Sequence, residues 1–474
     1  MRNRRIAVAT VSEDHPAVSR TTPMPDQTLP PRPASRKGKA PLWRHLALFR
    51  DDILSSQPEK LHRARMAEFR TPFFHSFLCN DPDLVALVLH ERPDDFPKSN
   101  LVRRGLAPLL GRSVMVTNGE TWRRQRRILD PAFEGGRIGE TFPAMLAAGR
   151  DAALRLQEGV QDIQSFCGEL ALDVILRTTF SVSPDNARAE RILRRFRNFM
   201  ATKPVMRLGA LLPLPRWVPR LRDRRAEEAA RDVREDIAAL IASRRAEIAA
   251  GIAPYDLATA ILTTTDPDTG TVLADDEMVD QVVTFILAGH ETTAASLAWT
   301  LYLLASHPDA QARAAAEARA FCTEPDLARM ETMPFMRDVY RESLRLYPPV
   351  PMIVREAARE ECFRKRRVPK GAQVTISPWH LHRHERIWDS PHAFAPGRWQ
   401  GSETRRCAQI AYQPFSSGPR VCIGAAMARI EGPLLLALLL DAWVFTPGGP
   451  VPVPMAHLTL RGKDGIRLHL ARRA

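Results

Sequence analysis

Between Phe415 and Gly424 the chain reads Phe-Ser-Ser-Gly-Pro-Arg-Val-Cys-Ile-Gly, and an apolar, helix-forming segment from Ala425 to Leu440 follows at once. No other stretch constrains the fold as tightly. A thiolate that binds a metal must be aimed, deprotonated and shielded. Gly418 and Gly424, on either side of Cys422, allow a tight backbone approach and free amide N–H groups to face the sulfur. Such hydrogen bonds tune a metal–thiolate bond. The helix that follows sets its positive N-terminal end beside Cys422 and favours the ionised form. Arg420, two residues before the cysteine, is placed to pair with an anionic group on a bound ligand. The other five cysteines, at 79, 167, 322, 362 and 407, stand in no such frame and read as inert thiols.

Further upstream, a helix is expected from Asp275-Asp276-Glu277, with acids at its positive end, to a stop before His307-Pro308. It contains Ala288-Gly289-His290-Glu291-Thr292-Thr293. A mid-helix glycine costs about 1 kcal/mol relative to alanine and so implies a special need, such as close approach to a flat ligand. A carboxylate beside a hydroxyl, Glu291 and Thr292, can relay protons. Threonine hydroxyls also bond back to the preceding turn and bend a helix. Glu342-Ser343-Leu344-Arg345 puts an acid and a base on one helix face, and Tyr347-Pro348-Pro349 follows. The last element is Phe394-Ala395-Pro396-Gly397-Arg398-Trp399.

In this order, these elements resemble the cytochrome P450 family, whose haem-binding loop reads Phe-x-x-Gly-x-Arg-x-Cys-x-Gly. Residues 415–424 match it at every fixed position, and the resemblance covers about residues 45–474. It implies a mainly α fold with small β-sheets in a single large domain. It implies heme b, with the axial thiolate to iron from Cys422; one thiolate ligand favours O–O cleavage. By the same resemblance Ala288 and Gly289 pass over the oxygen-binding face, Glu291 and Thr292 are the acid–alcohol pair that delivers protons to dioxygen, and His290 falls at a variable position. Glu342, Arg345 and Arg398 form a buried network that shapes the haem-side core. The haem propionates fall to Arg420, to Arg355 after the Pro-Pro turn, and to Trp122 and Arg126 of a Trp-x-x-x-Arg helix, with Phe415 and Gly424 completing the loop.

Substrate-contacting segments of the family map onto Leu101, Val102 and Leu106, the proline-punctuated 203–219 stretch, Ile286 and Leu287, Met352 and Ile353, and His457 and Leu458. These are mostly apolar, so a hydrophobic organic substrate is expected, with fatty acid, steroid, terpene and aromatic classes all open. The implied reaction is that of a monooxygenase, which binds O2, takes two electrons and inserts one oxygen atom into a C–H bond or a double bond. One haem domain takes up the length, so the electrons are expected from a ferredoxin and its NAD(P)H-dependent reductase.

Charge sharpens the boundaries. The 474 residues hold 68 Lys and Arg against 54 Asp and Glu, a net charge of +14. Residues 1–45 carry nine basic and three acidic side chains, and seven prolines fall between Pro16 and Pro41. Residues 1–44 therefore read as a basic, proline-rich, disordered leader and 45–474 as the monooxygenase domain. With Trp43 its one aromatic and no nucleic-acid motif, the leader gives no reason to expect nucleic-acid binding. Arg123, Arg124 and Arg127 offer charge for an acidic partner instead. The longest apolar run, Leu434–Leu440, falls far short of the ~20 residues of a membrane span, and no signal peptide is evident, so a cytoplasmic monomer without a transmembrane segment is expected. Three competing readings are weaker. A peroxygenase of this fold has no use for Glu291–Thr292, a c-type haem protein needs an absent Cys-x-x-Cys-His, and a DNA-binding protein rests on net charge alone.

Overall fold

The computed structural model describes residues 29–36, 42–70, 75–182 and 224–474, together with positions 191, 192, 194–196, 198 and 199. Residues 1–28 of the leader and the 203–219 stretch lie outside the described residues. A helix of 31 residues, Asp275–Ala305, runs through the middle of the molecule. Its start is set as the acids at 275–277 lead one to expect: Glu277 turns back and accepts the Ala274 N–H at 3.1 Å. It ends before Pro308, which opens the next helix, Pro308–Cys322.

Two apolar cores flank this helix. Its second half, Leu297 to Ala305, packs with Leu434–Leu440 of the helix Ala425–Ala442, so the leucine run is interior packing. Its first half, Met278 to Leu287, packs with Leu172 and Leu176 of the helix Ile163–Phe180 and with Ile237 and Leu240 of the helix Arg224–Ala249. Between the cores, residues 288–292 are the one stretch of its interior where several consecutive residues are only partly buried. The burial pattern alone marks this point as the place where the helix opens onto a site.

Strands are few and lie towards the two ends of the folded part. Met66–Arg70 pairs antiparallel with His75–Cys79, which pairs parallel with Gln373–Ile376, and Ile353–Glu356 completes the sheet antiparallel to the last. Gly159–Asp162, Arg467–Arg472 and Trp443–Pro447 make a second sheet. A small hairpin pairs Leu460–Gly462 with Pro454–Ala456 and presents residues 457–459 at its tip.

The leader boundary needs correction. Residues 29–36 lie on the folded body: Pro30 and Pro33 are buried, Arg36 bridges to Pro58, and the Tyr347 hydroxyl donates to the Pro31 carbonyl at 2.9 Å. Proline rings supply apolar surface and have little backbone freedom to lose, so a proline-rich stretch can pack when a groove is present.

Glu342, Arg345 and Arg398 meet as expected. Arg345 grips Glu342 with two bonds of 2.9 Å, Arg398 Nε donates to Glu342 Oε1 at 2.9 Å, and the Trp399 indole and Ala395 N–H add two more. Arg345 also donates to the carbonyls of His382, Pro391 and Ala393. Burial alone raises a carboxyl pKa, yet Arg345 and Arg398 beside Glu342 outweigh it and hold the group below its ordinary value. We predict that Arg345→Ala, which leaves Glu342 buried and half-paired, lowers unfolding free energy by about 3–5 kcal/mol in urea titrations.

Candidate active site

The loop before the helix Ala425–Ala442 closes on itself. The Cys422 N–H donates to the Phe415 carbonyl at 2.9 Å, and Gly418–Arg420 forms a single tight turn. Gly418 has φ of +71°, and a Cβ there would overlap the backbone carbonyl of Leu89, so both conformation and space require glycine. No protein atom lies within 4 Å of a Cβ added at Gly424, so protein packing does not explain that glycine. The Cys422 side chain lies deep but accessible. Burial raises its thiol pKa, opposed by the Gly424 N–H and by Arg126, Lys98 and Arg429.

Around the cysteine stands a cradle of cations. Arg420 lies flat over the Trp122 ring at 4.0 Å and donates to the Thr117 carbonyl and to Asn118 Oδ1. Arg126, one turn along the helix Gly119–Leu129, donates to the Val421 carbonyl at 2.9 Å and ion-pairs with Asp130. Arg355 is buried on the strand Ile353–Glu356, where burial lowers its pKa to about 10. Burial, then Arg355, lowers that of Arg420 to about 9. The fourth cation is Lys98, which bridges to Arg355 through the backbone and donates from Nζ to the Met115 carbonyl at 2.7 Å. Burial and the neighbouring Arg355, Arg420 and Arg126 depress its pKa strongly. Among the described residues only Arg126 of these four meets a carboxylate in an ion pair. Buried guanidinium groups require anions, so the donor set fits the two carboxylates of a haem, with Cys422 at its face.

The remaining candidate residues lie on the partly buried stretch 288–292 of the helix Asp275–Ala305. Thr292 Oγ1 bonds back to the Ala288 carbonyl at 2.6 Å, as threonines in helices do. Glu291 turns another way: its Oε2 accepts from Thr459 Oγ1 at 2.7 Å. The two side chains make no hydrogen bond to each other among the described residues. Burial raises the Glu291 pKa, while Thr459 and Arg461 pull it down. Gly289 has a simpler explanation than ligand approach, because an added Cβ would press on Ile175 Cδ1 at 3.0 Å in the neighbouring helix. His290 stacks edge-on to Phe196, with burial holding its pKa down to about 4.

Among the pocket residues, Val102, Leu106, Ile286, Leu287 and Leu458 share one apolar cluster, with Ile286 and Leu287 fully in the core. Met352 packs on the leucine-rich core and Ile353 on a third cluster beside the first sheet, while Leu101 and His457 are partly buried. Arg123, Arg124 and Arg127 are matched by Asp94, Glu277 and Asp266, so they do not form the free basic patch expected of them. Sequence reasoning missed Lys98 and Thr459. Each is a lone residue outside any recognised frame, and only tertiary packing brings it to the site.

The model of the family described as "Cytochrome P450" matches residues 35–468. The chain is similar to "Cyclooctat-9-en-7-ol 5-monooxygenase" of Streptomyces melanosporofaciens, 33% identical over 90% of this chain and 93% of that protein. It is also similar to "Cytochrome P450 4A10" of Mus musculus, 31% identical over 82% and 80% of the two chains. Among solved structures it resembles the cytochrome P450DA heme domain, with a TM-score of 0.78 and 26% identity, over 94% of this chain and 98% of that one. The loop geometry yields a prediction of its own. Gly418→Ala forces the backbone away from Leu89 and should cost about 2 kcal/mol or more, read as a lowered thermal midpoint and a lower haem content per chain.

Proposed function

This chain belongs to the cytochrome P450 family, monooxygenases that carry haem on a cysteine thiolate and use O2 and redox partners, and we propose that it oxidises a hydrophobic organic substrate by hydroxylation or epoxidation with Cys422 as the thiolate ligand. The observation that carries this reading is the convergence of four cations, Lys98, Arg126, Arg355 and Arg420, buried or partly buried, on one framed cysteine.

Haem, when bound, supplies the redox chemistry that activates dioxygen. The residues of this chain do the rest. Lys98, Arg126, Arg355 and Arg420 neutralise the propionates, and Trp122 holds the Arg420 plane. The Gly424 N–H bonds the Cys422 sulfur and tempers its charge. Ala288 and Thr292 would shape the face that receives dioxygen, with the Thr292 hydroxyl and the Glu291 carboxyl as the groups that would hold and pass protons there. Val102, Leu106 and Leu458 exclude water from the substrate side.

The relative whose name specifies a reaction acts on cyclooctat-9-en-7-ol, an unsaturated alcohol, which favours a terpenoid-like substrate over a steroid or simple aromatic. Electrons come from a ferredoxin and its NAD(P)H-dependent reductase, a reading supported by the family's need for redox partners. Among the described residues no helix is long and apolar enough to cross a membrane; action in the cytoplasm as a monomer is part of the proposal. Two outcomes test this reading. Unsaturated cyclic alcohols should shift the haem spin state at lower concentration than fatty acids do; the reverse order refutes the substrate class. Thr292→Ala should lower product formed per NAD(P)H about tenfold or more and raise peroxide release, with substrate affinity unchanged.

A further inference from the structure

Glu291 lines a cavity of about 680 Å³ to which no residue of the cysteine loop contributes. The cavity is walled by the helices Ile163–Phe180 and Asp275–Ala305 and by the hairpin tip, and it opens to solvent at Ser165 and Glu169, both exposed. The titratable groups that face Glu291 across it are Arg155, Glu169, Asp173, His290 and Arg461. The wall shared by the cavity and the carboxylate is Thr459, at the hairpin tip, whose hydroxyl donates to Glu291 Oε2 at 2.7 Å. Its place is held from both ends: Leu460 N–H bonds the Pro349 carbonyl at 2.8 Å, and Leu458 is packed into the substrate-side cluster. His457 N–H and the Thr459 carbonyl close the tip at 3.4 Å.

We propose that Thr459 is a positioning residue for proton supply, holding the Glu291 carboxylate at this solvent-connected cavity, where it takes up a proton from water before rotating to pass it to Thr292. The inference rests on the acid–alcohol reading above. Its balance is simple: one proton leaves solvent for the Glu291 carboxylate and then reaches the Thr292 oxygen as that hydroxyl's own proton leaves for oxygen that the two electrons of the donor proteins have reduced; the relay itself moves no electron. A helix turns by ~100° per residue, so neighbouring side chains at 291 and 292 point in different directions and a carrier must move between them. A hydroxyl at the outer position gives that carrier a defined resting place next to solvent. The effect does not require Thr459 to touch substrate, haem or dioxygen.

The test uses the haem-loaded full chain with its electron donors. Thr459→Val keeps the shape and removes the hydroxyl. Product per NAD(P)H should fall about tenfold or more, the weight of one hydrogen bond to a charged carboxylate, with peroxide release rising and the substrate spin shift unchanged. Thr459→Ser should restore coupling to within about twofold. Because Thr459 favours the ionised carboxylate, its loss raises the Glu291 pKa. The basic limb of the coupling–pH profile, where coupling is lost as pH rises and the carboxyl gives up its proton, should therefore move to higher pH in the valine variant. Unchanged coupling and profile in Thr459→Val, while Glu291→Gln uncouples, overturns this inference and leaves the acid–alcohol pair standing. If Glu291→Gln also leaves coupling unchanged, the pair itself fails. A valine variant that loses the spin shift instead makes Thr459 a wall of the substrate pocket, which equally overturns the proposal.

Discussion

A single fully buried carboxylate, Glu342, ties together segments that are far apart in the chain. It is held by Arg345 within its own helix, by Arg398 and by the Trp399 indole, while Arg345 reaches on to the carbonyls of residues 382, 391 and 393. The stretch from 389 to 399 leads directly to the helix Ser402–Ala411 and then to the cysteine loop. Anchoring it fixes where Cys422 can stand. The ion pair costs desolvation on both sides, and it persists because every oxygen of Glu342 is met by donors.

The site repeats this logic with the sign reversed. Around Glu342 the chain supplies its own counter-charges. In the cradle of Lys98, Arg126, Arg355 and Arg420 it gathers buried cations and leaves three of them without a carboxylate among the described residues. Burial depresses each pKa in Lys98, Arg355 and Arg420, an unfavourable state that a dianionic ligand relieves. The raised Cys422 thiol fits the same account, since a metal takes the thiolate form and displaces the proton. On the proposed reading, the carboxylates of the family's prosthetic group supply the counter-charge for these cations.

Local chemistry was legible from sequence and spatial partnership was not. The cysteine loop, the ion-pair helix and the start and stop of Asp275–Ala305 are written in contiguous residues, because glycines, caps and i, i+3 pairs act over a few positions. Gly289 shows the limit. An added Cβ there would press on Ile175 of a helix more than a hundred residues earlier, a contact that no local pattern contains. Lys98 and Thr459 carry no local signature and matter only because strands bring them to Arg355 and Glu291. The leader erred the other way: composition predicted disorder up to residue 44, and the prolines at 30 and 33 are packed on the fold.

The account stands on Cys422 as the anchor of a thiolate-bound haem. The most direct measurement is the absorption spectrum of the reduced, carbon-monoxide-treated protein, recorded for the natural chain and for Cys422→His. The account predicts a strongly red-shifted Soret band for the natural chain and its replacement by a histidine-type band in the variant. A histidine-type band in the natural chain, or a red-shifted band that survives loss of the cysteine, would contradict it.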